Sequence, residues 1–385
     1  MNVIKVLTKH NKVLYPTRAI AILCILMMTV LLFAGCGGAA GEDESDPSNA
    51  KESKAASEAS EDVPKTSFTD DCGRQVEVPE QITSVIASGS MAQIVLYAIA
   101  PDTLIAINGA WTEDAESYTD GKYLDLPQVG SFFGNHDLNY EEIAKLSPQI
   151  VIDVGEDKPD MESDLQDITD KTGIPAVHIS ADYDSMDQAF QKLGELLNRP
   201  EEAKALADFS KETMDLADET MKKVKHKKTL MYCTQEDGLN VLAKDSYHSQ
   251  IIDWLSDNVA EVDDPSSQGS GNEVNLEQMM IWDPEVIVFA PGSYYDYAAD
   301  DPAWQTLSAI KKGNYYEVPS GPYNWMGSPP SSNRIIGILW MAKLLYPKQA
   351  DFDLKEKTME YYRLFYHCEL TDDGYEALVR NSILK

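Results

Sequence analysis

Residues 138–152 read LNYEEIAKLSPQIVI, and residues 274–288 read VNLEQMMIWDPEVIV. The two segments align without a gap at a constant offset of 136 residues (274 − 138). Each carries an Asn with Glu or Gln three residues later, which is the capping-box pattern of a helix N-terminus. A Pro then ends the helix, and a run rich in β-branched residues predicts a buried parallel strand. We therefore predict two similar α/β lobes that face each other across a cleft.

The repeat places one glutamate per lobe at the same point. Glu141 and Glu277 both fall in the first turn of a predicted helix, in an exposed position. A carboxylate there stabilises the helix through its dipole by about 0.3–1 kcal/mol. The alternative interpretation of the repeat is that α/β proteins reuse short helix–Pro–strand units in general. The identical spacing favours an internal repeat.

The first 35 residues predict a targeting segment rather than part of the fold. Four cations precede an apolar run at residues 19–34 that is short for a membrane span. The run leads into Cys36, and this junction resembles the lipobox of bacterial lipoproteins, although Phe33 stands where that motif usually has Leu. The resemblance implies cleavage after residue 35 and a lipid on Cys36, whereas the alternative is an uncleaved signal anchor. Residues 36–66 are small, polar and charged, and they predict a disordered tether.

Charge and cysteine content exclude several classes of protein. The formal net charge is −32, and removal of residues 1–35, which hold four cations and no acids, makes it −36 (−32 − 4). This excess of carboxylates argues against a nucleic-acid partner, because such proteins bind phosphates through Lys and Arg. Cys72, Cys233 and Cys368 follow the signal and lipid positions with no CxxC spacing and in odd number. Neither a zinc site nor a full disulfide framework is therefore predicted.

The rest of the chain predicts alternating strands and helices. The first half predicts a hairpin at residues 68–79, strands at 84–87, 103–107 and 176–179, and helices at 91–99 and 185–197. The second half predicts strands at 229–233, 240–242 and 315–318, and helices at 249–255, 333–345, 356–365 and 373–384. Between them a helix starts at Pro200 and runs to about residue 224, a length of about 36 Å at about 1.5 Å per residue. We therefore predict an N-terminal lobe at 67–199, a linker helix at 200–226 and a C-terminal lobe at 227–385.

Three groups of residues form a recognisable pattern: an entry hairpin at residues 70–79, the segment at 139–148, and the late helix at 332–337 with its end at 340–347. Together they resemble the helical-linker substrate-binding lipoproteins of ABC importers, a family that handles ferric siderophores, haem, cobalamin and some metal oxyanions. Gln149 stands where the family has Asp. The resemblance covers nearly everything after Thr66. It implies an α/β fold of two Rossmann-like lobes, with central sheets flanked by helices, one long rigid helix between the lobes and the ligand in the cleft.

The resemblance also implies partners. The two repeat carboxylates, Glu141 and Glu277, match the family's lobe tips, which pair with arginines on a dimeric permease. We expect a monomer that is held outside the cytoplasm, at the bacterial cell membrane, by a lipid on Cys36. No cofactor, resident metal or catalytic residue is predicted, because no GxSxG, HExxH or triad pattern occurs.

Candidate ligand-binding residues come from loops that follow strands, because ligands of open α/β sheets sit at the carboxyl ends of the strands. Aromatic side chains on such Gly/Ser-rich loops suit a large, flat or greasy ligand. The predicted cleft residues are Ser90, Met91, Trp111, Phe132, Phe133, Tyr232, Tyr247, His248, Tyr294, Tyr323, Trp325 and Arg334. For each aromatic residue taken alone, packing under a loop is the competing interpretation.

Two of these residues have open alternatives. Arg334 either contacts the ligand or serves as a structural arginine at the start of a helix. Several ferric-siderophore relatives carry an Arg in the preceding loop, where this chain has Met326 and Gly327. The neighbours Tyr247 and His248 are a pair that can ligate haem iron or Fe(III), although a polar histidine near a helix start has the same pattern.

These patterns predict a solute-binding protein that captures an iron complex, either a ferric siderophore or haem, and delivers it to an ABC importer. Cobalamin or a molybdate- or tungstate-type oxyanion is the alternative ligand within the family. A surface metal-dependent enzyme is the alternative from another class, and it would need a His/Glu metal pair that the sequence lacks.

Overall fold

The computed structural model of this chain describes residues 64–131 and 138–383. The predicted signal peptide, Cys36 and most of the predicted tether lie outside these residues, as do Phe132 and Phe133. Within the described ranges, no helix combines the length and apolar character needed to cross a membrane. The described chain opens with a hairpin of β1 (Lys65–Thr69) and β2 (Gln75–Pro79). Gly73 in its turn has φ 77°, a conformation that glycine adopts readily, and the predicted hairpin is confirmed.

The N-terminal lobe is a parallel sheet with helices packed on it. Its strands are β3 (Val85–Ala87), β4 (Ile150–Gly155) and β5 (Ala176–Ser180), in that order across the sheet. Its helices are α1 (Ser90–Ile99), α2 (Tyr140–Leu146), α3 (Met161–Thr172) and α4 (Met186–Leu197). Every residue of β4 is buried, as expected for the central strand of a sheet covered on both faces.

The strand predicted at residues 103–107 is wrong. Leu104 pairs with Val85 and Ile107 pairs with Gln128, each as an isolated bridge. Leu104, Ala106 and Ile107 are buried, but the segment pairs with two different neighbours one residue at a time. No continuous ladder of backbone hydrogen bonds forms. The apolar sequence pattern therefore reflects burial of this segment and not pairing as a strand.

Helix α5 (Pro200–Lys223) begins at Pro200 and runs for 24 residues, as predicted. Pro is favourable at this position because its missing N–H has no intrahelical acceptor. Leu206 and Phe209 lie on its buried face, and α5 packs along α4. The division into lobes at residues 199 and 227 stays a prediction.

The C-terminal lobe is built on a mixed sheet. Its strands are β6 (Thr229–Thr234), β7 (Asn240–Val241), β8 (Asp257–Asn258), β9 (Asn272–Glu273), β10 (Val286–Phe289) and β11 (Tyr315–Glu317). Strands β6, β8, β10 and β11 are parallel, while β7 pairs antiparallel with β6 and β9. Its helices are α6 (Gln250–Leu255), α7 (Leu276–Trp282), α8 (Tyr295–Ala298), α9 (Ser308–Lys312), α10 (Asn333–Leu345), α11 (Leu354–Phe365) and α12 (Asp372–Leu378). The predicted last helix is therefore real but ends at Leu378, six residues early.

The internal repeat is visible in the structure. The Asn139 side chain accepts a hydrogen bond from the Glu142 backbone N–H at 3.0 Å, and Asn275 accepts one from Gln278 at 2.8 Å. The helices then end at Ser147 and Asp283, which are both left-handed, with φ 49° and 35°. Each repeat therefore has the same cap at both ends of its helix, and a strand follows each.

The residue that follows the repeat Pro forms the same pair of hydrogen bonds in both lobes. Gln149 accepts a hydrogen bond from the Ser84 backbone N–H at 3.1 Å, and Glu285 accepts one from Thr229 at 3.2 Å. In return, the backbone N–H of each donates to the hydroxyl of the same Ser84 or Thr229. Gln149 therefore fulfils, with an amide oxygen, an acceptor role that a carboxylate fills in the other lobe. This accounts for its departure from the family pattern.

One hydrophobic core runs through both lobes. Tyr97 on α1 lies edge-on to Trp111 at 5.1 Å between ring centroids and also contacts Tyr366, which follows α11, at 6.4 Å. Phe190 on α4 contacts Phe365 on α11 at 5.7 Å. Each such aromatic pair stabilises by about 0.5–1.5 kcal/mol beyond its buried area. A wide hinge motion would have to break these contacts as well as bend α5.

Candidate functional site

Two cavities open where strands of the sheets end. The interlobe cavity, of about 210 Å³, lies between the Ser88–Ala92 turn and the loops that carry Tyr247 and Pro329. The C-lobe cavity, of about 410 Å³, lies beside the ends of β6 and β10 and also reaches Thr112 of the N-terminal lobe. His248 lines both cavities, so they adjoin at its imidazole. Cavities of this size suit a small molecule.

The start of α1 forms one wall of the interlobe cavity. Its N-cap residue is Gly89, which provides no side-chain cap, and the first turn contains no acidic residue. The first N–H groups of a helix have no intrahelical acceptor. The turn at Gly89 and Ser90 therefore offers hydrogen-bond donors to a bound molecule.

Tyrosines form the apolar part of the C-lobe cavity. Tyr232 at the end of β6 and Tyr323 in the loop before α10 are only 2% and 9% exposed, and both line the cavity. Asn324 donates to the Tyr232 hydroxyl at 3.2 Å. Burial raises the pKa of both phenols, so they are neutral hydrogen-bonding groups at ordinary pH. A neutral aromatic wall suits a ligand with a flat or greasy face.

His248 is held as a neutral imidazole. Burial lowers its pKa, and the nearby positive charge of Arg334 lowers the pKa further. Gly269 packs against the ring, since a Cβ on that glycine would lie 3.2 Å from the imidazole. A neutral imidazole has one N–H donor and one nitrogen lone pair. Backbone hydrogen bonds with Ser267 and Gly327 already engage the ring, so the nitrogen lone pair is the group that His248 can offer to a ligand where the two cavities meet.

The described lining of the two cavities carries more negative than positive charge. Asp153, Glu156 and Glu236 contribute carboxylates, and Lys158 is the cation, 3.8 Å from Glu156. A small polyanion would lose its hydration there without a matching excess of cations. The electrostatics therefore disfavour a small, highly charged oxyanion.

The chain matches the family model described as periplasmic binding protein over residues 63–322. That match covers more than half of the sequence and includes most of the lining of both cavities, but not the part after Pro322. The chain belongs to the periplasmic binding protein family. Members of this family serve ABC importers as substrate-binding proteins, so the predicted family and the two-lobed α/β fold are confirmed.

Individual relatives agree with this assignment. The binding protein is 23% identical over 311 residues to a Bacillus subtilis Fe(3+)-citrate-binding protein, covering 79% of this chain and 90% of that protein. It is 26% identical to an ABC transporter solute-binding protein from Sulfurospirillum deleyianum, with a TM-score of 0.75 over 82% of this chain and 99% of that chain. A molybdate-binding protein from Haemophilus influenzae shares the fold at 19% identity, with a TM-score of 0.62 over 80% of this chain and 99% of that chain.

The structure brings half of the predicted cleft residues of the binding protein to the two cavities. Those on the lining are Ser90, Met91, Tyr232, Tyr247, His248 and Tyr323. Phe132 and Phe133 lie outside the described residues. Contact of the lining residues with ligand stays a prediction.

Three predicted aromatic residues do not line either cavity. Trp325 is 1% exposed, and its indole N–H donates to the Tyr362 hydroxyl of α11 at 3.3 Å. Trp111 donates its indole N–H to the backbone of Tyr123 within the aromatic core. Tyr294 stacks on a tryptophan of the smaller C-lobe core at 5.2 Å. All three side chains pack against other elements in this structure, and their contact with ligand stays a prediction.

Arg334 is also absent from the lining of both cavities. It is 3% exposed and donates to the Gln250 side chain at 2.8 Å, with the Asp182 carboxylate 3.9 Å away. Gln250 in turn donates to Asp182 at 2.9 Å, so this group joins α10 and α6 to the N-terminal lobe. The guanidinium lies 4.9 Å from the centre of the Tyr247 ring. In this structure Arg334 therefore supports a cavity wall, and its contact with ligand stays a prediction.

The floor of the interlobe cavity rests on a buried polar network. Asp153 of β4 and His178 of β5 are register partners, and Asp153 Oδ2 lies 2.6 Å from His178 Nδ1. Ser88, which follows β3, donates to the other oxygen of Asp153. Asp157 accepts from the far side of the imidazole at 3.0 Å. Three neighbouring strands therefore meet in one hydrogen-bonded cluster beneath the cavity.

The pKa of His178 gives stability a pH dependence. Burial opposes protonation, but hydrogen bonds and charges from Asp153 and Asp157 outweigh it and raise the pKa above the ordinary value of about 6.5. A group whose pKa is raised by folding stabilises the folded protein fully at pH values below its unfolded-state pKa. That stabilisation is lost as the pH rises through the folded-state pKa. Chemical unfolding of the wild type should therefore show a declining free energy above about pH 6.5 that His178→Gln lacks.

The control for this prediction is His226→Gln, because His226 is exposed on the surface. It should reproduce the wild-type pH profile. The His178→Gln protein should also be about 1–3 kcal/mol less stable at neutral pH, since Asp153 keeps its burial but loses a charged donor. Parallel profiles for His178→Gln and wild type would contradict a protonated His178.

Sequence reasoning missed several lining residues. Gln235 and Glu236 directly follow β6, so the strand-end rule could have found them. Asp153 was visible as a lone acid within an apolar strand, and the network around it explains why it is tolerated. Pro329 and Pro330 carried no signal, because an irregular loop brings them to the cavity.

Proposed function

We propose that this protein captures an iron complex, either a ferric siderophore or haem, and delivers it to an ABC importer. The observation that carries the proposal is the pair of adjoining cavities with neutral tyrosines around a neutral His248 and an excess of carboxylates. Such a lining suits a large complex in which the chelator itself coordinates the metal. It suits a bare oxyanion poorly, because its carboxylates outnumber its cations.

The relatives support an iron-containing ligand. One is a Fe(3+)-citrate-binding protein, and another solved relative from Vibrio cholerae is a catecholate-siderophore-binding protein, at 14% identity. Within residues 64–131 and 138–383, no cluster of three or more His, Cys, Asp or Glu side chains could hold a metal ion. We propose that the iron arrives within its own chelator and is cargo, as the catecholate-siderophore-binding relative implies.

We also propose that the ligand is bound without chemical conversion. Two hydroxyls lie beside the His178 network, but each donates to a carboxylate: Ser88 to Asp153, and Ser180 to Asp157, although Ser180 Oγ is 3.5 Å from His178 Nε2. That order gives no base to activate either hydroxyl, unlike the arrangement of a serine nucleophile.

A thermal-shift screen tests the ligand assignment. The purified head, residues 64–385, is melted with ferric catecholate and hydroxamate siderophores, haem, cobalamin, ferric citrate and molybdate. A ligand at 100 times its Kd stabilises by about 2.7 kcal/mol, a clear rise in melting temperature. Stabilisation by a siderophore or haem supports the proposal, whereas stabilisation by cobalamin or molybdate alone would contradict it.

We propose that Cys36 carries a lipid that anchors the head outside the cytoplasm. The basic start, the apolar run and the small residues before Cys36 support this. Replacing Cys36 with alanine should move the head from the membrane pellet to the soluble fraction, because stable attachment needs more than one acyl chain. Cys72→Ala is the control, since Cys72 lies in the head as a free thiol and should leave the protein in the pellet. A Cys36→Ala protein that stays in the pellet would favour an uncleaved anchor.

We propose further that the monomeric head docks on the permease dimer through Glu141 and Glu277. Both side chains are exposed in the first turns of α2 and α7, at matching points of the repeat. Each helix precedes a parallel strand, so its N-terminus lies toward the edge of the sheet where the cavities open. Arginines on the permease would meet these carboxylates in charge-assisted pairs that set the orientation of the head.

A further inference from the structure

The two matching helices present different chemistry to solvent. Three large hydrophobic side chains are well exposed within the described residues, and two of them are neighbours on α7: Met280 at 40% and Ile281 at 76%. At the same offset of 136 residues, the N-terminal lobe has Ala144 and Lys145. The tip of α2 is therefore charged, whereas the tip of α7 combines an acid with an apolar surface.

The exposed apolar surface adjoins the proposed docking carboxylate. Residues three and four apart lie on the same face of a helix, so Met280 and Ile281 lie one turn from Glu277. Met279, which directly precedes Met280, is fully buried in the core of the lobe. Its burial fixes which face of α7 points outward. The carboxylate and the two apolar side chains form a single surface, which we name the α7 tip.

We propose that the α7 tip is an apolar anchor for one half of the permease, so that the C-terminal lobe docks through Glu277 together with Met280 and Ile281. The N-terminal lobe docks through charge alone. The inference rests on the proposed function, because it takes the permease as partner. It goes beyond that function in making docking unequal between the lobes, with most of the salt-resistant affinity at the C-terminal lobe.

Other occupants fit the α7 tip less well. A stable self-association needs about 1,000 Å² of buried surface or more, which two side chains on a seven-residue helix do not supply. An anionic bilayer repels a chain of formal charge −32. A permease arginine beside an apolar recess, by contrast, complements an acid and an isoleucine one turn apart.

The test measures binding of the ligand-loaded head to the permease in lipid nanodiscs. Ile281→Ser should weaken the Kd by about tenfold or more, the effect of removing a buried isoleucine from an interface. The loss should persist at high salt, since apolar contacts are not screened. Tyr297→Ser is the matched control, because Tyr297 is the third exposed large hydrophobic residue, at 64%, and lies on α8. It should bind within about twofold of wild type.

Other results of the binding measurement would distinguish the apolar anchor from other uses of the α7 tip. Wild-type affinity for Ile281→Ser would overturn the apolar anchor and leave the proposed function intact. Failure of the wild-type head to bind the permease at all would contradict the proposed function and this inference together. Equal binding of wild type to nanodiscs without permease would assign the α7 tip to lipid. A concentration-dependent dimer that Ile281→Ser abolishes would assign it to a second copy of the chain.

Discussion

Replacing both Glu141 and Glu277 with alanine is expected to reduce import by about a hundredfold or more, since each lost charge pair costs about 2 kcal/mol or more at an interface. Both carboxylates are exposed and neither lines a cavity. Ligand affinity of the isolated head should therefore stay within about twofold of wild type. Uptake by cells and ligand binding by the purified head are the two measurements.

The single variants should differ from each other. Loss of Glu141 removes the charge contact of the N-terminal lobe, and loss of Glu277 leaves Ile281 in place on the α7 tip. The matched control is Glu162→Ala with Glu201→Ala, two exposed first-turn glutamates of α3 and α5 that are not part of the repeat. The control removes the same charge and should transport normally. Normal transport by the Glu141→Ala, Glu277→Ala protein would remove the docking role.

Replacing Gly337 with alanine is expected to destabilise the head by about 2–4 kcal/mol, the range of severe overpacking in a core. A Cβ on Gly337 would lie 2.0 Å from the backbone oxygen of Trp325 and 2.8 Å from its carbonyl carbon. Helix propensity alone predicts the opposite sign, because Ala is about 1 kcal/mol better than Gly inside a helix. The clash wins because the contacted atoms belong to the backbone and cannot rotate away.

The clash at Gly337→Ala should also disturb the C-lobe cavity. The loop that would move carries Tyr323 and Met326 to the C-lobe cavity, so Gly337→Ala should also weaken ligand binding. Thermal and chemical unfolding measure the stability, and the ligand-induced shift in melting temperature measures the binding. Gly109→Ala is the matched control, since its Cβ would meet no atom within 4 Å. Equal melting temperatures for Gly337→Ala and wild type would show that α10 and the loop can separate at no cost.

The local structure of this protein was readable because local rules govern it. Asn139 and Asn275 cap their helices where the capping pattern placed them, and α10 spans the predicted residues 333–345. Pro200 marks the start of α5 for the same reason, since its missing N–H is tolerated only there. Capping, Pro geometry and apolar periodicity act between residues a few positions apart, so a single sequence contains them. The segment at 103–107 failed because burial alone does not create a strand.

The cleft was different, because distant contacts decide it. Tyr323 and Trp325 stand two residues apart in one loop and carry the same sequence signal, yet Tyr323 lines a cavity and Trp325 is locked against Tyr362 of α11. Arg334 likewise is held outside the lining of both cavities by a hydrogen bond to Gln250 of α6, 84 positions away. The sequence by itself determined the two lobes, the repeat and the family. Only the tertiary structure decided which side chains line the cavities, because side-chain direction in an irregular loop is set by whichever distant element packs against it.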